Sequence, residues 1–93
     1  MITLNIRFFN ILAAYTGKKA LAFAVPTGTN LSDSVVLLAS QFNPAFQDIV
    51  LSAGAPSQHL RIFLNGEPVG EKDMKTVLTD GDEIMLFPAV AGG

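Results

Sequence analysis

The sequence predicts a small α+β domain in which a mixed sheet of four to five strands carries one main helix packed across one face. Residues 2–9 alternate apolar with polar side chains, as half-buried strands do, and residues 83–87 form a second strand-like run that begins with Glu83. Between them, apolar residues from Leu31 onward recur at helical spacing. Strand and helix can bury their apolar stripes together if the helix lies across one face of the sheet.

The size and composition of the chain indicate one domain with uncovered apolar surface. We expect one domain over residues 1–88 and a flexible carboxyl-terminal tail, residues 89–93. Hydrophobic residues make up 49% of the chain and charged residues only 15%, and the mean hydropathy is +0.42. Because this is high for a small soluble domain, some apolar surface should remain available to a partner.

Charge and residue types argue against several kinds of function. With a net charge of −2 the chain has no basic stripe to neutralise phosphates, so no nucleic-acid partner is expected. The chain has no cysteine and one histidine, His59, so no thiolate or multi-histidine metal site is expected. It also lacks a Ser/His/Asp set and a phosphate loop, and we therefore do not expect an independent enzyme.

The distribution of apolar residues predicts a cytoplasmic protein without a membrane partner. No stretch approaches the roughly 18 consecutive apolar residues that a membrane-spanning helix needs. Asn5 and Arg7 interrupt the amino-terminal apolar run, which therefore does not resemble a signal peptide.

The first two strands are predicted to form a hairpin. Residues 10–14 lead from the first strand into a turn at Gly17 and Lys18, and residues 19–25 then resume the strand pattern. Small residues share one side of this second strand, namely Ala20, Ala22 and Ala24. They predict a face that another element can approach closely.

The main helix is predicted to follow Asn30. Asn30 is a good N-cap, and Asp33 can complete a capping-box-like exchange and favour the positive helix end. The apolar stripe is Leu31, Val35, Leu38 and Phe42, and the polar side includes Ser32, Ser34 and Gln41. Asn43-Pro44 should end the helix, because proline disfavours helical geometry in the residue before it.

The segments between the helix and the last strand are predicted to be short. Residues 45–51 form a short turn of helix with core contacts from Phe46, Ile49 and Val50, and residues 52–58 form a flexible loop. Residues 59–64 are the third strand. Asn65-Gly66 is a strong hairpin signal, because both residues of such a turn need positive φ. Val69 belongs to a short return strand, and an irregular segment follows with core contacts from Met74, Val77 and Leu78.

The last strand follows an Asp-Gly turn and should lie beside the first strand, in the middle of the sheet. This is the β-grasp arrangement. Glu83 shares one side of the strand with Met85 and Phe87. Because a carboxylate belongs in water, Ile84 and Leu86 are the expected core pair.

The same alternation predicts an apolar patch on the side of the sheet away from the core. Its members are Phe9, Phe63, Met85 and Phe87, with Arg7 and Arg61 among them. Such a patch is a candidate docking surface. The alternative is that a loop or helical turn at Ile11-Leu12 folds over it.

Beyond the last strand the chain is slim and uncharged. Pro88 closes the strand, because it cannot donate a hydrogen bond to the sheet. The five residues that follow could extend roughly 17 Å and end in Gly92-Gly93. With Gly93 as the terminus, its α-carboxylate is the natural reactive group. The alternative is an ordinary frayed terminus.

Five segments together form a specific pattern over nearly the whole chain: Arg7-Phe8-Phe9, Thr16-Gly17-Lys18, Phe63-Leu64-Asn65-Gly66, Leu78–Glu83 and Leu86–Gly93. The pattern resembles the MoaD/ThiS sulfur carriers, which are ubiquitin-like β-grasp proteins typified by the small subunit of molybdopterin synthase. The most specific part is the Asp-Gly-Asp-Glu turn followed by a strand and a terminal Gly-Gly.

The resemblance implies chemistry at the Gly93 carboxylate. An E1-like adenylating enzyme would adenylate it with ATP, a sulfur donor enzyme would convert the acyl-adenylate to a thiocarboxylate, and a synthase would accept the sulfur. The carrier itself would bind no cofactor. Gly92 and Gly93 have no side chains and suit a narrow channel. The expected partner-binding residues are Arg7, Phe9, Arg61, Phe63, Met85, Phe87, Pro88 and Val90.

The recipient of the sulfur is left open by the sequence. The resemblance favours molybdopterin biosynthesis, with the large molybdopterin synthase subunit as acceptor. Ala89 departs from the Pro-Pro of many such carriers, and the ending also resembles carriers for cysteine biosynthesis. Thiamine biosynthesis is a further alternative. So are a ubiquitin-like modifier attached through Gly93 and a plain interaction domain.

Overall fold

The computed structural model describes residues 1–88 of the chain. Its strands are β1 (Ile2–Phe8), β2 (Ala20–Val25), β3 (Leu51–Ser52), β4 (Ala55–Pro56), β5 (Arg61–Leu64), β6 (Glu67–Pro68) and β7 (Glu83–Phe87). Its helices are α1 (Ile11–Thr16), α2 (Leu31–Ala39) and α3 (Pro44–Val50), and a 3-10 turn spans Glu71–Asp73. None of these helices is long and apolar enough to cross a membrane.

Five strands form one mixed sheet in the order β2-β1-β7-β5-β6. β7 runs parallel to β1 and antiparallel to β5, so the last strand of the chain lies in the centre. β3 and β4 form a separate two-stranded pair. The predicted α+β class and β-grasp arrangement, with the last strand beside the first, are confirmed.

The core lies between the helices and one face of the sheet. The strands contribute Leu4, Ile6, Phe8, Ile62, Ile84 and Leu86, each at most 5% exposed. The helices contribute Leu12, Leu31, Val35, Leu38, Phe46 and Val50. The Phe8 ring connects the two layers, because it meets the rings of Phe42 and Phe46 edge to face at 5.7 and 5.8 Å.

Two asparagines begin the two longer helices. The Asp33 N–H donates to Asn30 Oδ1 at 2.8 Å, as predicted for the start of α2. The Phe46 N–H donates to Asn43 Oδ1 at 3.0 Å, and Pro44 occupies the first turn of α3. The prediction that Asn43-Pro44 ends the main helix is therefore wrong, because α2 stops at Ala39 and this pair begins the next helix.

Two segments predicted to be irregular have regular structure. Residues 11–16, expected to be part of a connection, form α1, which ends at Gly17 with φ 71°. The predicted flexible loop over residues 52–58 is wrong in its first part, because β3 and β4 pair across a turn at Ala53 and Gly54. Both turn residues have positive φ, at 53° and 79°. The tight turn lets β3 and β4 pair with each other, so this segment has regular structure without joining the main sheet.

Two side chains lie on the opposite side from the one predicted. Ser34 was expected on the polar side of α2 but is only 2% exposed, and its hydroxyl donates to the Leu31 carbonyl at 2.7 Å. Val77 was expected in the core but is 59% exposed, whereas Leu78 is 3% exposed. Because the chain is extended here, adjacent side chains point in opposite directions, and only one of the two can be buried.

The hairpin between β5 and β6 turns at Asn65 and Gly66, with φ of 52° and 84°. This confirms the turn predicted from the Asn-Gly pair. The return strand is Glu67–Pro68, so Val69 lies just after it, with its N–H still donating to the Ile62 carbonyl at 3.0 Å.

Candidate functional site

β7 presents different side chains on its two faces. Ile84 and Leu86 are 1% and 0% exposed and belong to the core, as the sequence alternation predicts. Met85 and Phe87 are half-buried on the other face. Within residues 1–88, no helix forms a second core on that face. β7 therefore has one face in the core and one at the surface.

Three aromatic rings lie together on this second face. The Phe9 and Phe87 rings are stacked, with centroids 4.1 Å apart and planes inclined by 11°. The Phe63 ring meets the Phe87 ring edge to face at 5.4 Å. All three are half-buried, so each keeps part of its apolar surface in solvent. With Met85, Arg7 and Arg61 they form a surface that we name the aromatic face.

Strand register places the other members of the aromatic face. Met85 lies between Arg7 on β1 and Phe63 on β5, and Arg61 lies opposite Phe87. Both arginine side chains are exposed. The Arg7 guanidinium carbon lies 6.0 Å from the centre of the Phe9 ring, at the outer limit of a cation–π contact. The aromatic face is thus apolar at its centre and cationic at two of its edges.

The helical turn that follows Phe9 does not cover the aromatic face with Leu12. Leu12 is 0% exposed and belongs to the core cluster, and its helix α1 packs against α3. Ile11 is 45% exposed. The Phe9 N–H donates to the Leu86 carbonyl at 3.1 Å, which holds this residue beside the end of β7.

A network of hydrogen bonds fixes the beginning of β7. Asp82 accepts from the Thr79 N–H at 2.8 Å and from Asn65 Nδ2 at 3.0 Å. Asn65 Oδ1 in turn accepts from the Glu83 N–H at 2.9 Å. Burial raises the pKa of Asp82, but the hydrogen bonds from Thr79 and Asn65 outweigh it and hold this pKa below its ordinary value of 3.8.

This network supports the turn that the sequence predicts before the last strand, at Asp80 to Asp82. Asp80 Oδ1 accepts from the Thr3 N–H at 2.7 Å, so it also ties the turn to β1. Within residues 1–88 no group of three or more His, Cys, Asp or Glu side chains could hold a metal ion. The sequence interpretation missed the role of the Asn65 side chain. An amide residue in a turn beside an acidic strand start was the available signal.

Of the residues predicted to act in the tail, the structure describes only Pro88. Pro88 directly follows β7 and is half-buried. Val90, Gly92 and Gly93 lie outside the described residues, and their predicted roles in partner binding and at the carboxyl terminus stay predictions. The structure brings together Arg7, Phe9, Arg61, Phe63, Met85 and Phe87, and their role in binding a partner also stays a prediction.

Comparison with known proteins assigns this arrangement to a family. The ThiS family matches residues 6–93. Small archaeal modifier protein 3 of Haloferax volcanii is 30% identical over 91 residues, which cover 97% of this chain and 98% of the relative. The chain therefore belongs to the ThiS family, whose members are ubiquitin-like sulfur carriers and modifiers. Its relatives are small carrier or modifier proteins, in line with a chain that is not itself an enzyme.

Solved structures agree with the family. The crystal structure of SAMP1 from Haloferax volcanii has a TM-score of 0.83 and 26% identity, covering 98% of this chain and 99% of that one. A Pyrococcus furiosus protein described as molybdopterin converting factor subunit 1 has a TM-score of 0.78 and 20% identity, covering 97% and 100%. At this lower identity the likeness shows the shared fold alone.

Proposed function

We propose that this chain is a sulfur carrier whose Gly93 carboxylate is activated and converted to a thiocarboxylate. The observation that carries the proposal is the aromatic face, which lies where β7 ends and the sequence continues through Pro88 to Gly92-Gly93. In a member of the ThiS family, a half-buried aromatic surface beside Pro88 supports the proposal that a partner docks there and receives the Gly-Gly tail.

The chemistry needs an activating enzyme, because a carboxylate is a poor electrophile. A carboxylate oxygen of Gly93 attacks the α-phosphorus of ATP, so an acyl-adenylate forms and pyrophosphate leaves. Hydrosulfide released by a sulfur donor enzyme then attacks the acyl carbon, the bond between this carbon and the AMP phosphate oxygen breaks, and AMP leaves. The product carries sulfur in place of one carboxylate oxygen. The chain has no cysteine, so no thiol of its own competes for the acyl group.

The aromatic face supplies the affinity for the enzymes in this proposal. Half-buried aromatic side chains with an adjacent arginine are the residue types that dominate protein interfaces. An E1-like enzyme that covers Phe87 would have the tail entering its active site, because Pro88 follows directly. Gly92 and Gly93 offer no side chain to obstruct a narrow channel. Val90 and Pro88 would contact the entrance of that channel.

Delivery to molybdopterin biosynthesis in the cytoplasm is the finer part of the proposal. It rests on the resemblance of the Arg7-Phe8-Phe9 segment and the carboxyl-terminal pattern to molybdopterin-type carriers. The large molybdopterin synthase subunit would be the sulfur acceptor. Co-purification of the full chain with that subunit tests the pathway. If an enzyme of cysteine or thiamine biosynthesis co-purifies instead, the sulfur is delivered to that pathway and the molybdopterin assignment is wrong.

A ubiquitin-like modifier is the second candidate. The observation that favours it is the similarity to the Haloferax volcanii relative, which is described as a small archaeal modifier protein and is 30% identical over 97% of this chain. In that function a lysine amine of a target protein attacks the Gly93 carbonyl of the acyl-adenylate, an isopeptide bond forms, and AMP leaves together with a proton from the amine. Both functions share the adenylation step and differ only in the nucleophile.

Intact-mass measurement separates the two. The full chain is incubated with an E1-like enzyme, ATP and a sulfur donor, with and without a lysate of target proteins. A carrier gains the mass difference between sulfur and oxygen, and a modifier appears in covalent conjugates. A variant lacking Gly92 and Gly93 should fold normally and lose both outcomes. Sulfur transfer by that variant would overturn the proposal.

A further inference from the structure

The two edges of the five-stranded sheet differ in how they are protected from pairing with another strand. The β6 edge is two residues long and consists of a glutamate and a proline, Glu67 and Pro68. Short length, charge and proline are the usual means by which proteins block an exposed edge. The β2 edge is six residues long, from Ala20 to Val25, and has neither a charged residue nor a proline.

The free backbone groups of β2 fall on its alanines. The Phe8 N–H donates to the Lys19 carbonyl at 2.9 Å, so these opposing residues are a hydrogen-bonded pair of the β1–β2 ladder. Such pairs alternate along an antiparallel ladder. The N–H and C=O groups of Ala20, Ala22 and Ala24 therefore point away from β1. Within residues 1–88 no strand other than β1 pairs with β2.

We propose that β2 of one chain pairs antiparallel with β2 of a second copy, with Ala22 opposite Ala22 at the two-fold axis. This register pairs Ala20 of each copy with Ala24 of the other. All three outward-facing residues then find hydrogen-bonding partners, because each copy offers the same spacing of donors and acceptors. The two sheets would join into one continuous sheet with a self-complementary interface.

The side chains favour this partner. In the proposed register Leu21 lies opposite Phe23 of the second copy, twice, as a closely spaced non-hydrogen-bonded pair. Leu21 and Phe23 are both half-buried in the single chain and pack against the core, so pairing would cover more of their apolar surface. On the other face the exposed alanines meet one another without a steric conflict.

The charged groups near β2 do not oppose the pairing. Lys18 and Lys19 precede the strand, and Arg7 lies opposite Ala20 at the same end. In the proposed register Lys19 faces Val25 of the second copy and Lys18 faces Pro26 of the second copy. Because the strands are antiparallel, the two cationic ends lie at opposite ends of the interface. Like charges are therefore separated rather than juxtaposed.

The proposal is independent of the proposed function. β2 is an edge strand, with β1 between it and β7, so pairing leaves Phe63 and Phe87 of the aromatic face uncovered. A six-residue strand pair buries less surface than the roughly 1,200 Å² of the smaller stable interfaces. The dimer should therefore be weak and should form with rising concentration.

Charge substitution at the two-fold axis tests the pairing. Sedimentation equilibrium of the full chain over rising concentration should show the mass increasing from 9.9 kDa toward twice that value. Ala22→Lys and Ala22→Glu should each abolish the increase, because like charges would face each other across the axis. An equimolar mixture of the two variants should restore it. Ala45→Lys, on an exposed residue of α3, is the matched control and should dimerise like the unmodified chain.

Hydrogen exchange gives a second measurement. The Ala20, Ala22 and Ala24 amides should become protected at high concentration, whereas those of Leu21 and Phe23 should change little because they already bond to β1. Ala22→Pro removes the outward donor only and should remain folded and monomeric. A chain that stays monomeric at millimolar concentration would overturn the proposal. So would dimers that persist in both charged variants, or a mixture that does not recover.

Discussion

The same strands build both faces of the central sheet, but the side chains on the two faces differ in how far they are buried. On the helix face, Ile84 and Leu86 are at most 1% exposed and pack with the helices into a closed core. On the opposite face, Met85 and Phe87 alternate with them along β7 and are half-buried beside Phe9. Within residues 1–88, the helices cover one face, whereas the other has an apolar centre without a covering layer.

The difference shows that hydrophobicity alone does not identify the core. Half-buried aromatic side chains on the second face contribute less to folding than their size suggests, because part of their surface remains in water. Their retained exposure leaves apolar area that a partner could bury. We infer that the helix face carries most of the stability and the aromatic face most of the binding.

The largest expected effect comes from truncating neighbours on β7 that point to opposite faces. Leu86→Ala should lower the free energy of unfolding by about 2–5 kcal/mol, because it leaves a cavity in the core. Met85→Ala should lower it by about 1 kcal/mol or less. Urea denaturation measures both. Equal losses would show that the two faces contribute alike to folding.

A smaller effect is expected within the aromatic face. A double-mutant cycle of Phe9→Leu and Phe87→Leu should give a coupling energy of about 0.5–1.5 kcal/mol, because the two rings are stacked. The single and double variants are compared by the same denaturation measurement. Strictly additive losses would mean that the stacking does not stabilise the folded chain. The surface would then be a set of independent side chains.

The smallest effect belongs to the polar turn that begins β7. The hydrogen bonds that lower the pKa of Asp82 favour its carboxylate in the folded state. Their contribution should be present above the ordinary value of 3.8 and fade as the pH falls through the lower folded-state pKa. Denaturation midpoints of the unmodified chain and Asp82→Asn should therefore converge in acid. A difference that persists at the acidic end of the series would contradict this account.

Much of this arrangement could be predicted from the sequence because parity along a strand is a strong constraint. Glu83 fixed the water-facing side of β7, and the same alternation grouped Phe9 with Arg7 and Phe63 with Arg61. The Asn65-Gly66 turn was predicted because few residues tolerate its positive φ. Local chemistry was sufficient at each of these positions.

The errors fall where short elements depend on their surroundings. Helix α1 has only six residues, too few to show a helical periodicity, and the Asn10 side chain at its N-cap makes no capping hydrogen bond. The two-residue strands β3 and β4 are likewise too short for a pattern. Ser34 is buried because its hydroxyl bonds to the preceding turn, which satisfies its polar group inside the core.

The most direct test of the account concerns the aromatic face and the tail together. The rate of Gly93 thiocarboxylate formation by the E1-like enzyme is measured against carrier concentration, with all variants retaining Gly92-Gly93. Phe87→Glu should need about tenfold more carrier for half the maximal rate, because it places a charge in the docking surface. Val77→Glu, on an exposed valine beside Asn30, should behave like the unmodified chain. Equal concentration dependence in a folded Phe87→Glu variant would contradict the assignment of this face to partner binding.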